Sequence, residues 1–140
     1  MITFVIKNGY VCNMKIDEHH RAFKEHLQSL QRSIDEGIEE NQRNIGYNIS
    51  QGSIELFAIH LHTLHLIEGS GDQWDHRWFK SRKKMMLKIP SSFPNQEKIL
   101  TLLETIERER NVLCYGRRKP KNRIEQMILA FQELRKIIPV

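Results

Sequence analysis

The sequence predicts an all-α protein, an antiparallel four-helix bundle carrying a short β-hairpin extension. Three observations lead there. Apolar residues recur at steps of three and four over most of the chain, Gly- and Pro-containing stretches separate these runs, and a period of two is confined to the first sixteen residues. The domain boundaries follow from that change of period: 1–16 as hairpin or extension, 17–140 as the helical bundle.

In the extension, Ile2, Phe4 and Ile6 alternate with Thr3 and Lys7. Asn8-Gly9 then precedes a second alternation through Tyr10, Cys12, Met14 and Ile16. Asn-Gly suits a type I′ hairpin turn, while a lone two-stranded ribbon is marginal in water and needs something to pack on. The competing reading takes Met14 as the true start. The first helix is expected from Asp17, a suitable N-cap, with Phe23, Leu27, Leu30, Ile34 and Ile38 as its apolar stripe and acids on its other faces. A second is expected over about 44–67, with Ile45, Ile49, Leu56, Ile59, Leu64 and Ile67 near one face. Gly46, Ser50 and Ser53 lie among them, allowing a neighbouring backbone to come close. Gly69-Ser70-Gly71-Asp72 reads as a connector. The segment from Trp74 to Lys88 is ambiguous, with aromatics four apart and a run of bases. Asn95 can cap a third helix carrying Ile99, Leu102, Leu103 and Ile106. Asn122 with Glu125 resembles a capping box for a fourth, built on Ile124, Met127, Ile128, Phe131, Leu134 and Ile138.

Composition narrows the function classes. The 140 residues carry 22 Lys and Arg against 17 Asp and Glu, a formal charge of +5. No run of about 18 apolar residues is present and the opening segment lacks signal-peptide features, so a cytoplasmic protein with no membrane partner is expected. Two cysteines, Cys12 and Cys114, make no disulfide framework or metal-ligand spacing. No phosphate-binding glycine loop, dinucleotide fingerprint or zinc-protease motif occurs, and no cofactor is assigned. His60, His62 and His65 cluster, with His62 and His65 at a spacing that would share a helix face. Without further ligands they read as polar residues at a helix interface, and no metal site is assigned. Trp74 to Lys88 reads first as bundle cover with solvated charges, then as a nucleic-acid contact or a basic helix at a membrane surface.

The strongest constellation is Arg108-Glu109-Arg110-Asn111-Val112-Leu113-Cys114-Tyr115-Gly116-Arg117-Arg118. It sets a guanidinium, an amide and a phenol at the end of an otherwise apolar helix. Arg binds phosphate through two parallel bonds and stabilises charge on a phosphoryl transition state. The alternative pairs Arg110 with first-helix acids such as Glu36 or Glu39, with Tyr115 and Gly116 ending the helix.

Arg110-Asn111-Val112-Leu113-Cys114-Tyr115-Gly116 resembles the motif of the HEPN family, small antiparallel helical bundles that commonly dimerise. Many are endoribonucleases or toxin-like partners of minimal nucleotidyltransferases, as in toxin–antitoxin pairs. The architectural resemblance covers about residues 17 to 138. In catalytic members an Arg and a polar residue precede a His by four to six positions. Here Tyr115 stands at that position, and no His follows His76. A phenol with a reference pKa of about 10 is a poor base at neutral pH, whereas imidazole is a good one.

The resemblance implies a homodimer with a polar site around Arg110 and Asn111, associated with nucleic acid or nucleotide. Arg117, Arg118, Lys119, Lys121 and Arg123 are the expected phosphate contacts. Two rival functions are a metal-independent endoribonuclease using Arg110, Asn111 and Tyr115, and a protein-interaction partner of a minimal nucleotidyltransferase. Charge is polarised in keeping with a basic face: 17–40 holds seven acids and three bases, 77–123 fourteen bases and four acids.

Overall fold

The computed structural model describes residues 2–67, 76–89 and 92–140, with backbone alone for 2–15. The described chain is helical, in keeping with a helical bundle: α1 (Ile2–Glu36), α2 (Gln42–Thr63), a 3-10 turn (His76–Lys80), α3 (Arg82–Lys88), α4 (Gln96–Tyr115) and α5 (Lys121–Ile137). The connector at 69–72, Trp74, Pro90 and Ser91 lie outside the described residues.

No strand occurs among the described residues, and the backbone expected as a hairpin is instead the opening of α1. Ile2, Ile6 and Tyr10 also stand four apart, so the segment that alternates at a period of two supports a helix as well. Continuing an existing helix avoids the cost of an isolated ribbon. Asp17 accordingly lies inside α1 rather than capping it.

α2 is the central element. Ile45, Ile49, Ile54, Leu56, Phe57, Ile59 and Leu61 are all buried, and so are Gly46, Asn48, Ser50 and Ser53. A helix with apolar residues on most of its surface belongs inside a bundle. α1, α4 and α5 each pack on it, and α3 with the 3-10 turn packs on α4. Phe23 and Leu30 of α1, Ile99, Leu103, Ile106 and Leu113 of α4, and Ile124, Met127, Phe131 and Leu134 of α5 complete one core. Met85 fixes α3 to it, while Met86 and Leu87 remain exposed.

The helix ends show which local signals operate. Gly37 stops α1 at φ +136°, its N–H reaching the carbonyls of Ser33 and Ile34 at 3.2 and 3.3 Å. Only glycine tolerates that backbone region freely. Asn95 precedes α4 in the left-handed conformation and makes no side-chain cap; its carbonyl accepts from Ile99 N–H at 2.9 Å. Pro120 takes the capping position before α5, placing Asn122 inside the first turn, because its fixed φ and missing N–H suit a helix entrance. Buried Gln42 joins two connections: its Nε2 donates to the carbonyls of Glu39 and Lys119, and its Oε1 accepts Lys119 N–H at 2.8 Å.

Candidate functional site

Two helix faces and the 3-10 turn assemble the site. Along α2, Arg43, Tyr47 and Ser50 fall one helical turn apart; along α4, so do Glu107, Arg110 and Cys114. The helices approach closely at Gly46, where an added Cβ would stand 3.2 Å from both Cys114 Sγ and Leu113 Cβ. That small residue lets the polar residues of α4 reach Tyr47 and Ser50. The 3-10 turn brings His76 against the same patch.

Glu107 is 2% exposed, a carboxylate almost wholly removed from water. Its Oε1 lies 2.7 Å from His76 Nδ1, and its Oε2 accepts from Ser50 Oγ at 3.4 Å. Arg110 is also buried, at 6% exposure, with Nη1 3.3 Å from the same His76 Nδ1. One ring nitrogen cannot donate to a carboxylate and accept from a guanidinium together. The shorter contact to an acceptor-only carboxylate places the proton on Nδ1. Arg110 Nη1 therefore faces another donor, and its Nε is buried without a hydrogen-bond partner. Among the described residues Arg110 has no carboxylate ion pair; the pairing with Glu36 or Glu39 is not formed, and Arg118 instead reaches the carbonyls of Glu39 and Glu40.

Two aromatic rings flank this guanidinium. Tyr47 and Tyr115 each stand 5.9 Å from its central carbon, and both tyrosines are exposed. Cys114 lies beside them, its Sγ 3.6 Å from the Arg43 carbonyl. Burial pushes the Cys114 thiol pKa up, opposed by the positive charges of Arg110 and Arg43 and reinforced by Glu107. The arrangement is a buried cation opening between aromatic walls, with an acid-held imidazole beside it.

The residues expected from sequence are dispersed more widely than expected. Arg110 and Tyr115 meet; Asn111 is half-buried and makes no side-chain hydrogen bond among the described residues. Arg123 is engaged by Glu109 through Nε and Nη2, both at 2.8 Å. Arg118 is used on the α1–α2 turn, and the Lys119 backbone is held by Gln42. Arg117 and Lys121 are exposed and carry no side-chain bond among the described residues.

His76, Glu107 and Ser50 were not legible as site residues from the chain order. Glu107 offered one signal: it falls four residues after Leu103, on the apolar stripe of α4, where an acid needs a partner.

The other histidines form no such site. α2 ends at Thr63, and His65 beyond it is exposed at φ 58°, so His62 and His65 do not share a helix face. The His62 ring lies tilted against that of His19, which bonds Glu55, and burial lowers the pKa of His60 against the Phe93 ring. No group of three His, Cys, Asp or Glu among the described residues is placed to hold a metal. Trp78 carries Lys88 Nζ 4.5 Å above its ring, and Arg82 is tied to Glu97, Thr101 and Glu104. No helix among the described residues is long and apolar enough to cross a membrane. Compared with known protein families, curated proteins and solved structures, the chain matches none.

Proposed function

We propose that this chain is a HEPN-like RNA-associated module, an antiparallel four-helix bundle acting as a homodimer, that binds a single-stranded phosphodiester at Arg110. The observation carrying the reading is Arg110 itself: a buried guanidinium with no carboxylate ion pair among the described residues, between two exposed tyrosine rings. A buried guanidinium with no direct ion pair and an unpartnered Nε is costly, even with the Glu107 carboxylate across the His76 ring nitrogen, and an anion entering from solvent lowers that cost. Phosphate matches the planar fork, and phenol rings at the rim offer faces on which unpaired bases stack for about 1–3 kcal/mol each. A free nucleotide engages the same fork with fewer stacking partners.

The test is fluorescence anisotropy with a short unstructured RNA. Wild type is expected to bind, Arg110→Ala to weaken binding at least tenfold, and Arg110→Lys to restore only part of it, because Lys supplies charge without the fork. Binding unchanged by Arg110→Ala, or no binding at low salt, overturns the reading.

A further inference from the structure

α3 carries a surface that the reading of Arg110 leaves unused. The inner stripe of this segment is Arg82, Met85 and Ile89, at steps of three and four. Met85 and Ile89 are buried, and Arg82 is tied to Glu97, Thr101 and Glu104 of α4. Both ends are secured as well: Ser81 Oγ accepts from Lys84 N–H at 3.3 Å, and Ile89 N–H donates to the Met85 carbonyl at 3.1 Å. The bundle therefore sets which face turns outward. That face presents Lys83, Lys84, Met86, Leu87 and Lys88, all exposed. Leu87, at 78%, is the most exposed large apolar side chain among the described residues, and it falls one helical turn after both Lys83 and Lys84.

We propose that this face is a peripheral membrane-binding site for a bilayer surface rich in acidic phospholipid, with the lysines on the headgroups and Leu87 in the acyl boundary. The proposal goes beyond the reading of Arg110 and does not depend on it. Charge complementarity identifies the occupant. Residues 76–96 hold six bases and no acid. Lys80, Lys83 and Lys84 form no ion pair among the described residues, and Glu97, the next acid along the chain, is engaged by Arg82 at 2.6 Å.

A lone exposed leucine needs no explanation. A leucine inside an acid-free lysine cluster has the pattern of an interfacial helix, whose apolar residues enter the acyl boundary while its cations stay at the headgroups. A phosphodiester would engage the lysines but offers Leu87 nothing. Half-buried Trp78 adds a ring suited to the interface, with Lys88 Nζ 4.5 Å above it. Since α3 is already folded on the bundle, lipid binding carries no cost of ordering the helix. No helix among the described residues is long and apolar enough to cross a bilayer, so the contact is with its surface. The expectation of no membrane partner rested on the lack of an apolar span, and this face revises it.

The experiment is flotation of the full chain with vesicles of phosphatidylcholine, alone or with about one third phosphatidylserine. Wild type is expected to float with the anionic vesicles only and to be released as salt rises. Lys83→Gln, Lys84→Gln and Lys88→Gln combined are expected to weaken partitioning about 100-fold, at roughly fivefold per lysine near an anionic surface. Leu87→Gln is expected to weaken it about tenfold through lost apolar burial, with thermal stability and RNA binding unchanged. Equal binding to neutral vesicles, or no binding to anionic ones, overturns the proposal. Anionic binding that survives the triple substitution overturns it too. Binding that Leu87→Gln leaves at wild-type strength reduces the face to a polyanion patch and also overturns it; RNA affinity lost in the triple variant would then assign the lysines to nucleic acid. Arg110→Ala is expected to float as wild type does, so failure at the Arg110 site and failure of this face are read separately.

Discussion

At the residue scale, Cys114 reports on the electrostatics of the site without taking part in it. Burial raises its thiol pKa, while the charges of Arg110 and Arg43 oppose that rise. In a Cys12→Ser background, its alkylation is expected to increase with pH and reach half its maximum above the usual thiol value of about 8.5. Removing the positive charge in Arg110→Ala should push that half-point higher, because the thiolate loses a stabilising neighbour; Glu107→Gln should pull it lower. A half-point at or below the ordinary value, or one indifferent to Arg110→Ala, would contradict the geometry. The same residues show how sequence spacing can mislead. Tyr115 stands at the motif's expected imidazole position, but residues brought together by a 3-10 turn 31 positions before Glu107 leave no periodic trace.

At the scale of elements, two glycines on α2 separate tight packing from simple helix weakness. At Gly52 an added Cβ would sit 3.5 Å from His26 Cβ and Phe131 Cζ, an ordinary contact. Gly52→Ala is therefore expected to stabilise by up to about 1 kcal/mol through helix propensity. At Gly46 the new carbon would meet Leu113 Cβ at 3.2 Å, and overpacking of about 1–3 kcal/mol outweighs the same gain. Thermal unfolding of the two variants should shift in opposite directions by about 3 °C per kcal/mol, and shifts of one sign would refute the contrast. The one-sided stripes of α1, α4 and α5 were legible because each buries a single face. Asn95 and Asn122 were read as caps from residue type, but left-handed Asn95 caps nothing with its side chain, and Pro120 displaces Asn122. The first sixteen residues carried both periods, so composition alone could not choose between ribbon and helix.

For the whole molecule, the separation of acids in 17–40 from bases in 77–123 matters only where the bases remain available. Arg82, Arg118 and Arg123 are engaged within the protein, whereas Arg117 after α4 and Lys121 at the first position of α5 are exposed. If both meet phosphates, neutralising the pair should lower the slope of log affinity against log salt by roughly 1.4, at about 0.7 per single-strand contact. Arg123→Ala should leave that slope unchanged and cost at most about 1 kcal/mol of stability, since its pair with Glu109 is partly solvated. A slope that responds to Arg123 and ignores Arg117 and Lys121 would relocate the basic face. That face also depends on an amide at its base. By donating to one carbonyl of Lys119 and accepting from its N–H, Gln42 behaves as a detached peptide group, reproducing a single rung of sheet pairing inside a helical protein. The connection that bears Arg117 and leads into Lys121 is thus spliced to the turn after α1. The spacing between its charges and the acidic first helix is set by hydrogen-bond register rather than by the reach of a free loop.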